Sequence, residues 1–306
     1  MLDAKTIDAI ANEIIRQMGQ GSAPAPSGQK PSALRDGPVP AQPPARSEAR
    51  PETGEMEDIT SAAQKAVPTL QAPADYDALI RMKGRTSARI GVGRCGPRLL
   101  TKTLLTLRAD HALARDAVFT DVDPEFLRRN NLFSVQTKCP DKNTHITRPD
   151  LGRQLSDEAV QIIREKCQKN PDVQIVVSDG LSSKAIEANV QNALPAIVEG
   201  LQSRGITVGT PFFIRFGRVA AEDAVAELLG AKVVCILIGE RPGLGTAESM
   251  SAYLCYDAKV GQPEARRTVV SNIHRGGISS VEAGAYIAEL IQKILAARAS
   301  GVELKQ

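Results

Sequence analysis

From residue 151 to the end of the chain, apolar positions switch regularly between two periods. Runs with helical spacing fall at 156–168, 182–199, 220–229 and 280–298, and short runs rich in β-branched residues fall at 174–177, 207–216, 232–238 and 267–273. Ser156 followed by Asp157 and Glu158 marks the start of the first helix, because a hydroxyl caps free N–H groups and carboxylates favour the positive end of the helix dipole. The 232–238 run is continuously apolar after Lys232, which predicts a strand buried on both faces and therefore a parallel sheet. The alternation predicts an α/β domain over 151–306 with a mainly parallel, doubly wound, Rossmann-like sheet.

Upstream the pattern changes three times. Residues 2–18 place Leu2, Ile7, Ile10, Ile14 and Met18 at helical spacing with charges opposite, predicting an amphipathic helix over 1–18. Residues 19–73 hold ten of the nineteen prolines and few large apolar residues, as expected of a flexible Pro/Ala-rich linker. A helix on such a tether cannot bury its stripe against near neighbours, which points to an external partner. Residues 74–150 read as a small helical region, with a helix beginning at Pro97 and another capped by Asp123 and opened by Pro124.

Composition narrows the function classes. A net charge of +3 with interspersed signs, 3% aromatic residues and no Trp give neither a basic patch nor stacking platforms for nucleic acid. Five cysteines without C-x-x-C spacing, no signal peptide and no apolar span of membrane length predict a reduced, cytoplasmic protein that does not enter a membrane. His111, His145 and His274 stand apart from one another and from cysteine at metal-ligand spacing, so no protein-built metal site is expected.

Candidate chemistry gathers in the turns after strands: Ser178-Asp-Gly-Leu-Ser-Ser183, Gly217-Arg-Val219, Gly239-Glu-Arg-Pro242 and Ser271-Asn-Ile-His-Arg-Gly-Gly277. In open parallel sheets ligands lie beyond the carboxyl ends of strands, and these turns would form a wide floor of mixed polarity there. Asp179 either binds a polar ligand group or sets its turn, Ser182 and Ser183 are more simply helix-capping residues than nucleophiles, and His274 has no carboxylate partner assignable by spacing. Binding turns without an acid, base or nucleophile set suggest a subunit that holds a cofactor for a partner's active site. Gly91-Val-Gly-Arg-Cys-Gly96 matches G-x-G-x-x-G, but the polar 83–89 segment supplies no strand leading into it.

The runs Arg89-Ile-Gly-Val-Gly-Arg-Cys-Gly-Pro-Arg98, Val177-Ser-Asp-Gly-Leu-Ser182, Phe213-Ile-Arg-Phe-Gly-Arg-Val219, Ile238-Gly-Glu-Arg-Pro-Gly-Leu-Gly245 and Ser271-Asn-Ile-His-Arg-Gly-Gly277 resemble the small subunit of ethanolamine ammonia-lyase. The resemblance implies an adenosylcobalamin-dependent enzyme that converts ethanolamine to acetaldehyde and ammonia by radical chemistry, active only with a large (β/α)8 barrel subunit. It implies a cobalamin sandwiched between the two chains, with contacts at Val219, Glu240 and Val269, the last at a position where many relatives carry Cys. No D-x-H-x-x-G motif is present, which implies that dimethylbenzimidazole stays on the cobalt. The N-terminal helix resembles tags that bring enzymes to the shell of a bacterial microcompartment. Two rival readings are a nucleotide-binding oxidoreductase built on Gly91–Gly96 and a non-enzymatic microcompartment cargo adaptor.

Overall fold

A computed structural model describes residues 58–305. The helix expected over 1–18 and most of the expected linker lie outside the described residues. Helices α1 (Ala62–Ala66), α2 (Tyr76–Lys83), α3 (Thr101–Phe119) and α4 (Pro124–Arg129) come first, and α5 (Lys142–Thr147) follows after one short strand. The first of these falls within the stretch read as linker, and α3 starts four residues after Pro97 because Arg94–Cys95 (β1) and Arg98–Leu99 (β2) pair antiparallel around Gly96. Gly96 has φ 60°, a left-handed conformation that suits glycine in a two-residue hairpin turn. The G-x-G-x-x-G match thus runs from a loop into a hairpin, without the strand-turn-helix unit that holds a pyrophosphate. Asp110 of α3 gathers these elements: it is almost fully buried and accepts hydrogen bonds from Lys65 Nζ at 2.7 Å and Arg89 Nη2 at 2.5 Å.

The rest is a mixed six-stranded sheet in the order β3 (Phe133–Gln136), β5 (Phe212–Arg215), β4 (Val173–Ser178), β6 (Val233–Gly239), β7 (Met250–Tyr256) and β8 (Thr268–Ile273). The first four strands of that order run parallel, and β7 is antiparallel to both of its neighbours. The sheet is mostly parallel, as the pattern predicted, and mixed at the β7–β8 end. Strands β3 and β7 were not foreseen: β3 is a four-residue edge strand inside the stretch read as helical, and β7 follows a loop rich in Gly and Pro. The long strand expected over 207–216 is shorter, because Pro211 lacks the N–H a ladder needs; Val208 makes an isolated bridge to Val173 and β5 starts at Phe212.

Helices cover both faces. On one face α7 (Ser183–Gln202) and α9 (Ser280–Ala297) bury Ile186, Ile197, Ile287 and Ile291 against Val173, Ile175, Leu237, Ala252 and Val270. On the other, α6 (Asp157–Lys166) and α8 (Ala221–Leu229) bury Ile163, Val225 and Leu229 against Val176, Ile214, Val234 and Ile236. The β3–α6–β4 and β5–α8–β6 connections step one way across the sheet and share a face, whereas β4–α7–β5 steps back and uses the other, as a constant crossover hand requires. All seven residues of β6 are buried, so it is the central strand that the continuous apolar run predicted.

The end of β6 is packed without slack. A Cβ on Gly239 would collide with the carbonyl oxygens of Ser182 and Asp179, so Gly239→Ala is expected to cost about 1–3 kcal/mol by overpacking. A thermal midpoint lowered by several degrees on heating of the purified chain checks this.

Candidate functional site

The parallel strands deliver their carboxyl ends to one edge, and there Glu240 follows β6 directly. Its N–H donates to Ser249 O at 3.0 Å, continuing the β6–β7 ladder one step past the strand. Between the Met250–Ile273 and Ala252–Val270 pairs, β8 carries one residue more than β7 and so forms a bulge. Asn272 in this bulge has φ 62°, and its N–H donates to Glu240 Oε1 at 3.1 Å, while Ser251 Oγ donates to the same oxygen. The carboxylate therefore satisfies an amide that the bulge takes out of the ladder. Burial pushes the Glu240 carboxyl up, but the hydrogen bonds from Ser251 and the Asn272 amide, with His274 nearby, hold it below the usual carboxylate range.

Val219 and Val269 lie on the face of the sheet to which Glu240 turns. Ser251 is paired with Ile238, whose side chain belongs to the α6/α8 core, and so the Glu240 carboxylate that it meets is on that face. Val269 pairs with Tyr253, which pairs with Ile236 of the same core, and residues directly opposite in a sheet share a face. Val219, in the turn between β5 and α8, packs against the same core. The three residues singled out by resemblance are thus distributed around one side of the sheet. α8 packs on β6 there, whereas the helix that packs on both β7 and β8 is α9, on the other face. Val269, at 44% exposed, and Ser271 stand open to solvent, and Tyr253 is half-buried. The result is a shelf with an apolar floor and the Glu240 carboxylate at its rim.

A buried ion cluster fixes the two sides of this shelf. Arg267, two residues before Val269, donates from Nε to Glu222 Oε1 at 2.8 Å and from Nη2 to Asp223 Oδ2 at 2.6 Å; Glu222 and Asp223 are the second and third residues of α8, just after Val219. Nη1 reaches Glu264 Oε2 at 2.6 Å, and the Arg267, Glu222 and Asp223 side chains are at most 2% exposed. Burial pushes both the Glu222 and the Asp223 carboxyl up, against the pull of the guanidinium.

The other strand-end residues do structural work. Asp179 is 1% exposed; its Oδ1 accepts from Phe216 N–H at 2.8 Å and its Oδ2 from Lys142 Nζ at 3.0 Å, so it sets a turn. The bond holds Phe216 at φ 59°, where a bulky residue is uncommon, and so aims Gly217-Arg218-Val219. Ser182 caps α7 by accepting from Ala185 N–H at 3.2 Å, and Ser183 Oγ donates to Thr120 O. His274 bonds within its own loop, through Asn272 Oδ1 at 2.8 Å and the Gly276 N–H at 3.0 Å. His145 is buried with Nε2 2.9 Å from Gly180 O. Among the described residues no group of three or more His, Cys, Asp or Glu could hold a metal ion.

Comparison with known proteins decides the family. The model of the ethanolamine ammonia-lyase light chain family matches residues 76–305. The chain belongs to that family. It is 57% identical to the ethanolamine ammonia-lyase small subunit of Clostridium perfringens over 248 residues, covering 81% of this chain and 84% of that protein. The small subunit of Lachnoclostridium phytofermentans is 46% identical over 304 residues, 99% of this chain and 100% of that one. Listeria monocytogenes serovar 1/2a has a small subunit 51% identical over 252 residues, 82% and 86% of the two chains.

Within this family member, sequence reasoning missed Tyr253, Arg267 with its two buried carboxylates, and the Asp179–Phe216 bond. The adjacent Glu222-Asp223 at a helix start reads locally as favourable charge at a dipole, and only the fold brings Arg267 to it. Arg267→Met should leave two carboxylates buried without their cation and cost about 3–5 kcal/mol, a midpoint drop of about 6–20 °C. Glu240 carries the opposite kind of test. Because its folded pKa is depressed, the stability it contributes is present above the ordinary carboxyl value of about 4.3 and is lost as pH falls through the folded pKa. The midpoint difference between the parent chain and Glu240→Gln should shrink between about pH 6 and pH 3; a difference that grows on acidification would contradict the sign.

Proposed function

We propose that this chain is the small subunit of an adenosylcobalamin-dependent ethanolamine ammonia-lyase and that cobalamin is held between its shelf and a large barrel subunit. The observation that carries the reading is the open half of one sheet face, where Val219, Glu240 and Val269 surround an uncovered floor in a domain whose other faces are packed. A broad, flat, largely apolar group bearing amides at its edge suits such a floor. Bound adenosylcobalamin supplies the carbon-centred radical that starts conversion of ethanolamine to acetaldehyde and ammonia.

The roles of this chain's own residues follow from their chemistry. Val219 and Val269 give dispersion contacts and exclude water, and a contact at Val269 needs no thiol where relatives carry Cys. Glu240, ionised at neutral pH, accepts hydrogen bonds from amide or hydroxyl groups, while its bonds to Ser251 and Asn272 keep the carboxylate from rotating away. Substrate and reacting groups then belong to the large subunit, which accords with strand-end side chains engaged in capping and turn bonds. Leu104, Leu105, Leu113 and Phe119 of α3 are exposed and suit a protein partner. The apolar stripe Ile7, Ile10, Ile14 and Met18 supports recruitment to a microcompartment shell in the cytoplasm. Among the described residues no helix is long and apolar enough to cross a membrane.

Coexpression with a large barrel subunit should give ethanolamine-dependent aldehyde release that requires adenosylcobalamin and is absent from the isolated chain; turnover by this chain alone would overturn the assignment. Glu240→Ala in the complex should weaken cobalamin binding by about ten- to a hundredfold, from the loss of charged hydrogen bonds. Because the same change frees the Asn272 N–H, Glu240→Gln is its companion: it keeps an acceptor there and should still lose about tenfold. An unchanged cobalamin affinity beside a lowered thermal midpoint would assign Glu240 to the bulge alone. Deleting residues 1–20 should leave turnover nearly intact and abolish recruitment to the shell, as read by copurification with shell particles.

A further inference from the structure

Tyr253 stands among the three residues of the proposed cobalamin site. It is directly opposite Val269 on β8 and Ile236 on β6, and it packs against the same core as Val219. Its ring is half-buried, yet among the described residues nothing hydrogen bonds its hydroxyl. A partly buried phenol ordinarily finds a partner for its O–H, because the ring is apolar and the tip is not. The tip here is in an acidic neighbourhood. Burial, then the charges of Glu240, Glu264 and Glu222, push the phenol above its ordinary value, with Arg267 pulling the other way. The hydroxyl therefore keeps its proton through neutral pH and serves as a donor. Tyr256, three residues along the same strand, is the useful contrast: it is also half-buried but packs against the opposite core, away from the shelf.

Resting on the proposed function, we infer that Tyr253 is a further cofactor-contact residue, its ring forming part of the floor beneath the corrin and its hydroxyl donating to the carbonyl oxygen of an amide at the corrin edge. An amide offers both an acceptor and a donor, and the shelf supplies a phenol donor and the Glu240 acceptor. A carboxylate in the amide's place would be repelled by Glu240 and Glu264. The pair thus favours a corrin with intact amides over one hydrolysed to the acid.

The test is a spectral titration of the coexpressed two-subunit complex with cyanocobalamin, and with a monocarboxylic-acid derivative of it. Tyr253→Phe should raise the cyanocobalamin Kd by about 3- to 10-fold with the thermal midpoint little changed, the loss expected of one neutral hydrogen bond. It should also narrow the preference for the amide over the acid. Tyr253→Ala should weaken binding further, and Tyr256→Phe should leave the Kd unchanged. If the parent complex binds no corrin, the proposed function itself fails. If the parent binds and Glu240→Gln weakens binding while Tyr253→Phe matches the parent for both ligands, the inference about Tyr253 alone is overturned. Equal losses in Tyr253→Phe and Tyr256→Phe would likewise overturn it, as a general effect of altering β7.

Discussion

The guanidinium of Arg267 is the point on which the shelf depends. It lies within a core, bonded to carboxylates on the first turn of α8, and so it ties the turn that carries Val219 to the strand that carries Val269. Burying a cation and two carboxylates costs more than burying hydrocarbons of the same volume, and such clusters often add no net stability. What this one fixes is relative position. An apolar contact could slide, whereas two directed bonds from one planar group to adjacent carboxylates allow one arrangement of helix and strand.

That arrangement explains why one sheet face remains open. The two faces are covered by helices of different crossovers, and the chain reverses into β7 and β8 without a further helix on the α6/α8 side. β8 then bulges at Asn272, and the amide that leaves the ladder is taken up by Glu240. The carboxylate is consequently held in place at the rim by two donors of its own chain. On the neighbouring strand, Asp179 does the same for the Phe216 turn, holding a left-handed residue that the sequence alone would not favour.

Charge and hydrocarbon divide the work in the two parts of the described chain alike. Asp110 draws Lys65 and Arg89 from separate segments in the helical part, and Arg89 also donates to Leu244 O at 3.2 Å, linking that part to the loop after Glu240. In each case a carboxylate of at most 2% exposure is matched by cations from sequence-distant residues. Burial supplies the cohesion and the ion pairs select the register.

The sequence by itself determined the elements with strong local signals. The β6 run, the Ser156 and Ser182 caps and the long helical periods are visible because burial on two faces and capping act within a few residues. The recurring motifs also disclosed the family and placed Glu240 at a strand's carboxyl end. Tertiary structure alone decided that β7 runs antiparallel, that β3 joins the sheet, and that the segment beginning at Gly91 runs into a hairpin. It alone gathered Val219, Tyr253, Glu240 and Val269 on one face, since strand order and register are settled by long-range pairing. A buried Arg267 was invisible for the same reason: an arginine before a strand looks solvated until a helix some forty residues upstream closes over it.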